Sequence, residues 1–346
     1  MNVSIRPVDL NAERDLLIDA LARYLTPFSD ARRFDWLYCH NPHGEAQAWM
    51  ATDTDSGVIV GAAGAFPRRF YIDGHEACGW VLGDFCIHET YRSLGPALQL
   101  QRACLAAVEA GNMPFCYDFP STRMMAIYKR LRIKPNSSML RLAKPLRIDH
   151  HVKQIVNSPG VARGLSGMGN LLLRLRDTRR TSTAAATISG LEGPCSEEFS
   201  ALAREVGGRY GVCVQRSAAY LNWRYVTHPL RRYECLTARR AGALMAYAMF
   251  TQAGEEATLV EWFGIEEAAV LCGLIEEMVY RLRQRGVSTV SAPLGVAHPW
   301  VGLLQQLGFK VREAAPVVVY GSPCLQANAI RVEELNWFLM HGDRES

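Results

Sequence analysis

The sequence predicts an α/β protein of two tandem units, each a mixed sheet with helices packed on both faces. Two observations carry this reading. Trp36, Tyr38 and Pro42, spaced by two and four residues, recur as Trp223, Tyr225 and Pro229, 187 positions later. Each set is followed by the same succession of extended, glycine-marked and helix-periodic segments. Matched order over such a distance marks a duplicated unit.

In the first unit, residues 3–6 read as a strand and 12–24 as a helix. A hairpin follows the first tryptophan motif, pairing 48–51 with 58–63, and a third strand is expected at 69–71. The apolar run 81–87 is the next strand. Ala97, Leu98, Leu100, Cys104, Leu105 and Val108 then recur at helical spacing until Gly111 offers a C-cap. Residues 115–117 form a strand, the helix after Ser121 carries Met124, Ile127, Tyr128 and Leu131, and 138–141 form a last strand.

The first unit is placed at 1–145 and the second at 191–330, with a hairpin of 233–238 and 244–250. Residues 146–190 read as a helical connector ending in a mobile link at 181–189, which is small, polar and without period. Residues 331–346 are a C-terminal tail.

Arg92-Ser93-Leu94-Gly95-Pro96-Ala97 sits between the 81–87 strand and the helix that follows. A glycine turn entering a helix directs free backbone N–H groups outward, which suits a phosphate or pyrophosphate. The corresponding turn of the second unit is Trp262-Phe263-Gly264-Ile265-Glu266-Glu267, whose two acids favour the helix dipole but repel a phosphate. One unit is equipped for an activated phosphate-bearing donor and the other is not.

Composition sets the outer limits. Of 346 residues, 49% are apolar and 21% charged, which is enough to bury a large core. A formal charge of +4, with its densest stretch at Arg174, Arg176, Arg179 and Arg180, lacks the broad basic face of a nucleic-acid binder. The 10 cysteines lie mostly in apolar runs without metal-ligand spacing, so free thiols in a reducing compartment are expected, with no metal and a cytoplasmic location. His150-His151 does not make a site by itself. The N-terminus has no signal-peptide pattern, and no run is long enough to span a membrane.

In this order the motifs resemble the GCN5-related N-acetyltransferase (GNAT) superfamily, and its tandem-domain bacterial acyltransferase-like members in particular. The family's Arg/Gln-x-x-Gly-x-Gly/Ala loop matches Arg92, Gly95 and Ala97. The resemblance implies an acetyl-CoA or other acyl-CoA donor, its pyrophosphate on that loop and its pantetheine arm between splayed strands at 82–87 and 115–117. Cys86 and Ile87 would then lie against the donor, and a backbone N–H within 86–88 would polarise the thioester carbonyl. The family's tyrosine falls on Tyr128, although Arg132-Ile133 stands where a Gly-Phe pair is usual. The second unit keeps Gly308-Phe309 and has Leu304 in place of the tyrosine. Pro96 fits the first helical turn but removes one amide donor.

The implied reaction moves an acyl group to an amine of a small molecule or amino sugar. A phenol is protonated at neutral pH and suits the departing thiolate, which makes Tyr128 the candidate acid; it also fits a packed tyrosine whose hydroxyl meets a carbonyl. Asp84, His88 and a backbone-held water chain are candidate bases, and a covalent route through Cys86 or Cys116 is the minor alternative. The aromatic segments 34–38 and 220–225 either line an acceptor groove between the units or plug each sheet edge. Transfer from an acyl carrier protein or an aminoacyl donor, and a non-catalytic acyl-CoA-binding pseudoenzyme, are the competing functions. A monomer or a homodimer is compatible with duplication.

Overall fold

The computed structural model describes residues 2–91, 94–147, 186–323, 325 and 331–345. Arg92, Ser93, His150, His151, the basic stretch 174–180 and most of the expected connector lie outside the described residues.

In the first half, β1 (Val3–Pro7) and α1 (Arg14–Tyr24) precede α2 (Ala31–Phe34), which runs into a π-helical turn at Asp35–Cys39. The strands β2 (Gln47–Asp53), β3 (Ile59–Ile72) and β4 (His75–Ile87) form an antiparallel meander. Then come α3 (Leu94–Glu109), β5 (Phe115–Asp118), α4 (Thr122–Arg130) and β6 (Ser137–Pro145). The second half repeats the series: β7 (Thr187–Gly190), α5 (Glu197–Gly207), β8 (Val212–Val214), and α6 (Ala218–Leu221) with a π-helical turn at Asn222–Val226. β9 (Glu234–Arg240), β10 (Ala243–Ala253), β11 (Glu256–Gly264), α7 (Ala268–Gln284), β12 (Thr289–Gly295), α8 (Val301–Gln306), β13 (Lys310–Gly321) and the short β14 (Trp337–Phe338) complete it.

Two expectations are corrected. The strands foreseen at 58–63 and 69–71 are one, β3. Pro67 does not break it, because it falls between the end of the β2 pairing at Ala65 and the start of the β8 pairing at Phe70, where one edge has no ladder partner. Within the expected mobile link at 181–189, residues 187–189 open β7, which pairs with β9 as β1 pairs with β2.

The duplication reaches the caps. Asp30 caps α2 by accepting the Arg33 amide, and Ser217 caps α6 by accepting the Tyr220 amide. Both π turns carry the Trp-x-Tyr pair. Trp36 donates its indole N–H to the Trp223 carbonyl at 2.8 Å, Trp223 returns the bond to the Trp36 carbonyl at 2.7 Å, and the rings stack at 4.9 Å. The two motifs therefore meet face to face across a pseudo-two-fold relation, buried in the core that joins the halves.

The sheet order is β1-β2-β3-β4-β5-β13-β6-β12-β11-β10-β9-β7. It reads as two matching halves that exchange their last strands. β6, from the first half, lies between β12 and β13, while β13, from the second, closes the first half against β5. One hydrophobic core spans both halves, and a second lies under α3 and α4 on the other face of the first half.

Candidate active site

The site begins as a fault in β4. Leu82 and Ile87 both pack into the core under α3, although residues an odd number apart on a regular strand face opposite ways. The register between β3 and β4 slips between Ala62 and Gly64, and Asp84 takes φ = +50°, the left-handed region. This is a β-bulge. It turns Asp84 away from α3 toward α2.

There, both Asp84 oxygens are engaged. Arg33 grips them at 2.8 and 2.6 Å, and the Tyr38 hydroxyl donates at 2.9 Å; the ion pair is nearly sealed, with side chains 6% and 2% exposed. Glu261 on β11 repeats the arrangement in the other half. It accepts Arg216 at 2.9 Å and the Tyr225 hydroxyl at 3.1 Å, and Asp343 takes the far side of Arg216. The carboxylate, arginine and tyrosine thus recur in both halves, although Arg33 and Asp84 also border the cavity that opens beside β4.

Past Val81 the strands part. β4 and β5 run parallel but pair only at Trp80–Cys116 and Val81–Tyr117. The splay opens a cavity of about 930 Å³, bounded by Gly83, Phe85 and Ile87 of β4, Asp118 at the end of β5, and Ala97 and Gln101 of α3. Cys86 also lines it, and burial pushes its thiol up to about 12; burial raises the Cys116 thiol as well.

Gly95 lies in the first turn of α3 with open space around it. A Cβ there would meet nothing within 4 Å, and its φ is not positive. The fold itself gives no packing or conformational reason for glycine at this position. Ala97, two residues along α3, is buried.

Tyr128 is 1% exposed and does not line the cavity. Its hydroxyl donates to Asp118 at 2.7 Å and accepts from Gln101 at 3.0 Å. Asp118 does face the cavity, and burial raises its carboxyl to about 7 against the lowering effect of the tyrosine bond. Burial and the adjacent Asp118 hold the Tyr128 phenol well above its usual value. His88 is elsewhere. Its Nδ1 accepts the Thr90 amide at 3.2 Å and sits 2.8 Å from the Thr90 hydroxyl, its own amide is donated to the Val60 carbonyl, and the ring does not border the cavity.

The C-terminal segment was read as a tail, and the structure makes it part of both halves. β11 and β12 also splay, after Thr258–Ser291, but there the gap is filled. Leu339 and Met340 bond to Gly295 and Leu294, and Gly342 presses on Tyr225, where a Cβ would stand 1.8 Å from the hydroxyl. The segment then crosses over. Arg224, buried, donates to the carbonyls of Gly342, Arg344 and Glu345, and the Glu345 side chain packs against Gly83 at the open cavity. Among the cavity groups that sequence reading missed are Asp118, Gln101, Arg231 and Glu345. An aspartate closing the 115–118 strand was the one available signal.

The architecture is the GNAT fold in tandem, with one splay open and one filled by the chain itself. A probable N-acyltransferase from Enterococcus faecalis V583 shares it at a TM-score of 0.66 and 12% identity, over 92% of this chain and 72% of that one. A GCN5-related N-acetyltransferase from Anabaena variabilis ATCC 29413 matches at 0.65 and 12%, over 91% and 72%. Saccharomyces cerevisiae N-myristoyltransferase with bound myristoyl-CoA matches at 0.58 and 11%, over 92% and 79%. No protein-family model and no curated protein matches the sequence. Among the described residues no helix is long and apolar enough to cross a membrane, and no cluster of ligating side chains is arranged for a metal.

Proposed function

We propose that the protein is an N-acyltransferase that takes an acyl group from acyl-CoA, in the first half only, and delivers it to an amine entering from the second half. The open β4–β5 splay, set against the filled splay of the other half, carries this reading. Its volume suits a small-molecule site at the upper end of the usual range of roughly 300–1,000 Å³.

In this reading the α3 amides around Gly95, with Arg92 beside them, take the donor pyrophosphate, and the free edge of β4 takes the pantetheine arm as an added strand would bind. The amine nitrogen attacks the thioester carbonyl carbon, the C–S bond breaks, and the amine loses a proton as the sulfur gains one. Asp118 is the group placed to handle that proton, since it faces the cavity and titrates near neutrality. Tyr128 serves through Asp118, holding and tuning the carboxyl instead of reaching sulfur directly. Asp84 positions the bulge.

The test is amine-dependent thiol release from acetyl-CoA or a longer acyl-CoA by the full chain, with the acylated amine identified by mass. Release that does not depend on any amine, or donor binding without turnover, would favour the non-catalytic alternative.

A further inference from the structure

One wall of the cavity comes from the second half: His228, Leu230 and Arg231. Its chemistry differs from the wall beside β5. Arg33 and Arg216 are consumed by buried carboxylates and Arg224 by carbonyls. Arg231 is exposed and has no carboxylate partner among the described residues, whereas Arg344 lies half-buried over the Phe119 ring at 5.0 Å, where its charge lowers the Asp118 carboxyl.

His228 sits beside Arg231 in a fixed state. Its Nδ1 accepts the amides of Leu230 and Arg231, each at 3.1 Å, which leaves the proton on Nε2. That Nε2 is closed off from solvent and has no partner. The ring is held against Trp36, centroids 4.5 Å apart, and edge-on to Tyr233. Burial, with Arg224, Arg231 and Arg33 nearby, keeps it neutral down to about pH 3, so Nε2–H is a neutral donor in a positive field. A buried donor without an acceptor is costly unless something supplies one.

Asp118 lies elsewhere in the cavity, at the end of β5, with Arg344 near it. A molecule spanning the cavity therefore meets the Asp118 carboxyl at one end and the Arg231 guanidinium with an unpaired His228 N–H at the other.

We propose that the acceptor carries an anionic group, a carboxylate or a phosphate, beside its amine, and that His228 and Arg231 receive that group while the amine faces Asp118. The proposal rests on the acyltransferase reading and names its acceptor class. A charge-assisted, partly desolvated contact of this kind supplies selectivity on the order of tenfold or more.

The experiment uses the full chain, acetyl-CoA or myristoyl-CoA, and acceptor pairs that differ only in the anion: an amino acid against its carboxamide, and glucosamine 6-phosphate against glucosamine. The anionic member of one pair is expected to show kcat/KM about tenfold higher or more, and which pair does so names the anion. Arg231→Gln, at an exposed position, is expected to raise KM for the anionic acceptor about tenfold and leave KM for its neutral partner unchanged. His228→Asn keeps an acceptor for the two amides, loses Nε2–H, and is expected to act in the same direction. Equal or better turnover of the neutral members would overturn the proposal. So would weaker acyl-CoA binding by Arg231→Gln with acceptor KM unchanged, since the guanidinium would then serve donor phosphates. Donor binding without thiol release on any amine would instead remove the acyltransferase reading itself.

Discussion

At the residue scale, the two carboxylates near the splay have opposite fates. Both line the cavity, but Asp84 is bound by Arg33 and Tyr38, whereas Asp118 has one phenol behind it. Asp84→Asn is expected to lower stability by about 3–5 kcal/mol, the usual loss when one partner of a buried ion pair is removed; chemical denaturation measures it. A catalytic Asp84 would instead lose turnover at unchanged stability. Asp118, with its carboxyl near 7, is ionised and able to take a proton only above neutrality. The rate is therefore expected to rise with pH to a midpoint near 7, and Asp118→Asn to remove that limb. Stability has the opposite sign: burial favours the protonated acid, so its contribution is full below the ordinary carboxylate range and lost as pH rises through about 7. Tyr128→Phe keeps the ring, removes a bond that lowers the Asp118 value, and is expected to shift the limb to higher pH while cutting kcat roughly 10- to 1000-fold. An unshifted limb would leave Tyr128 a packing residue. Sequence alone points to Asp84 and passes over Asp118; it cannot show that Asp84 is paired, because Arg33 lies 51 positions away and a bulge decides which way the carboxylate turns.

At the scale of elements, the difference between the halves is a matter of what fills a splay. Leu339, Met340 and the turn to Asp343 occupy the gap beyond Thr258, and Gly342 is required there because Tyr225 and Glu261 stand where a side chain would go. Gly342→Ala is expected to destabilise the protein by about 1–3 kcal/mol through overpacking, read as a lowered Tm. Unchanged Tm would mean the segment can leave the second splay at little cost. The Trp-x-Tyr repeat was legible, since it is a local pattern of residue types. The filling of the second splay was not, because the segment lies far along the chain from the strands it separates and has no period of its own.

At the scale of the whole molecule, the exchange of β6 and β13 makes the two halves a single sheet. Strand periodicity shows that a strand exists and which face it buries, but not which neighbour it pairs with, so the exchange left no trace in the sequence. A fragment of residues 1–147 keeps β6 but loses both its partners, and β5 loses β13. That fragment is expected to be unfolded or aggregated alone and to recover donor binding only when co-expressed with residues 186–346. A folded, active first half by itself would show that the exchange is dispensable. The central claim is that one acyl-CoA binds per chain, on the first half. Calorimetric titration of the full chain with acetyl-CoA tests it most directly, with Gly95→Trp alongside, a substitution that the open space around Gly95 allows the fold to accept. The expected result is one site per chain in the parent and none in a folded Gly95→Trp variant; two sites, or unchanged affinity in the variant, would contradict the account.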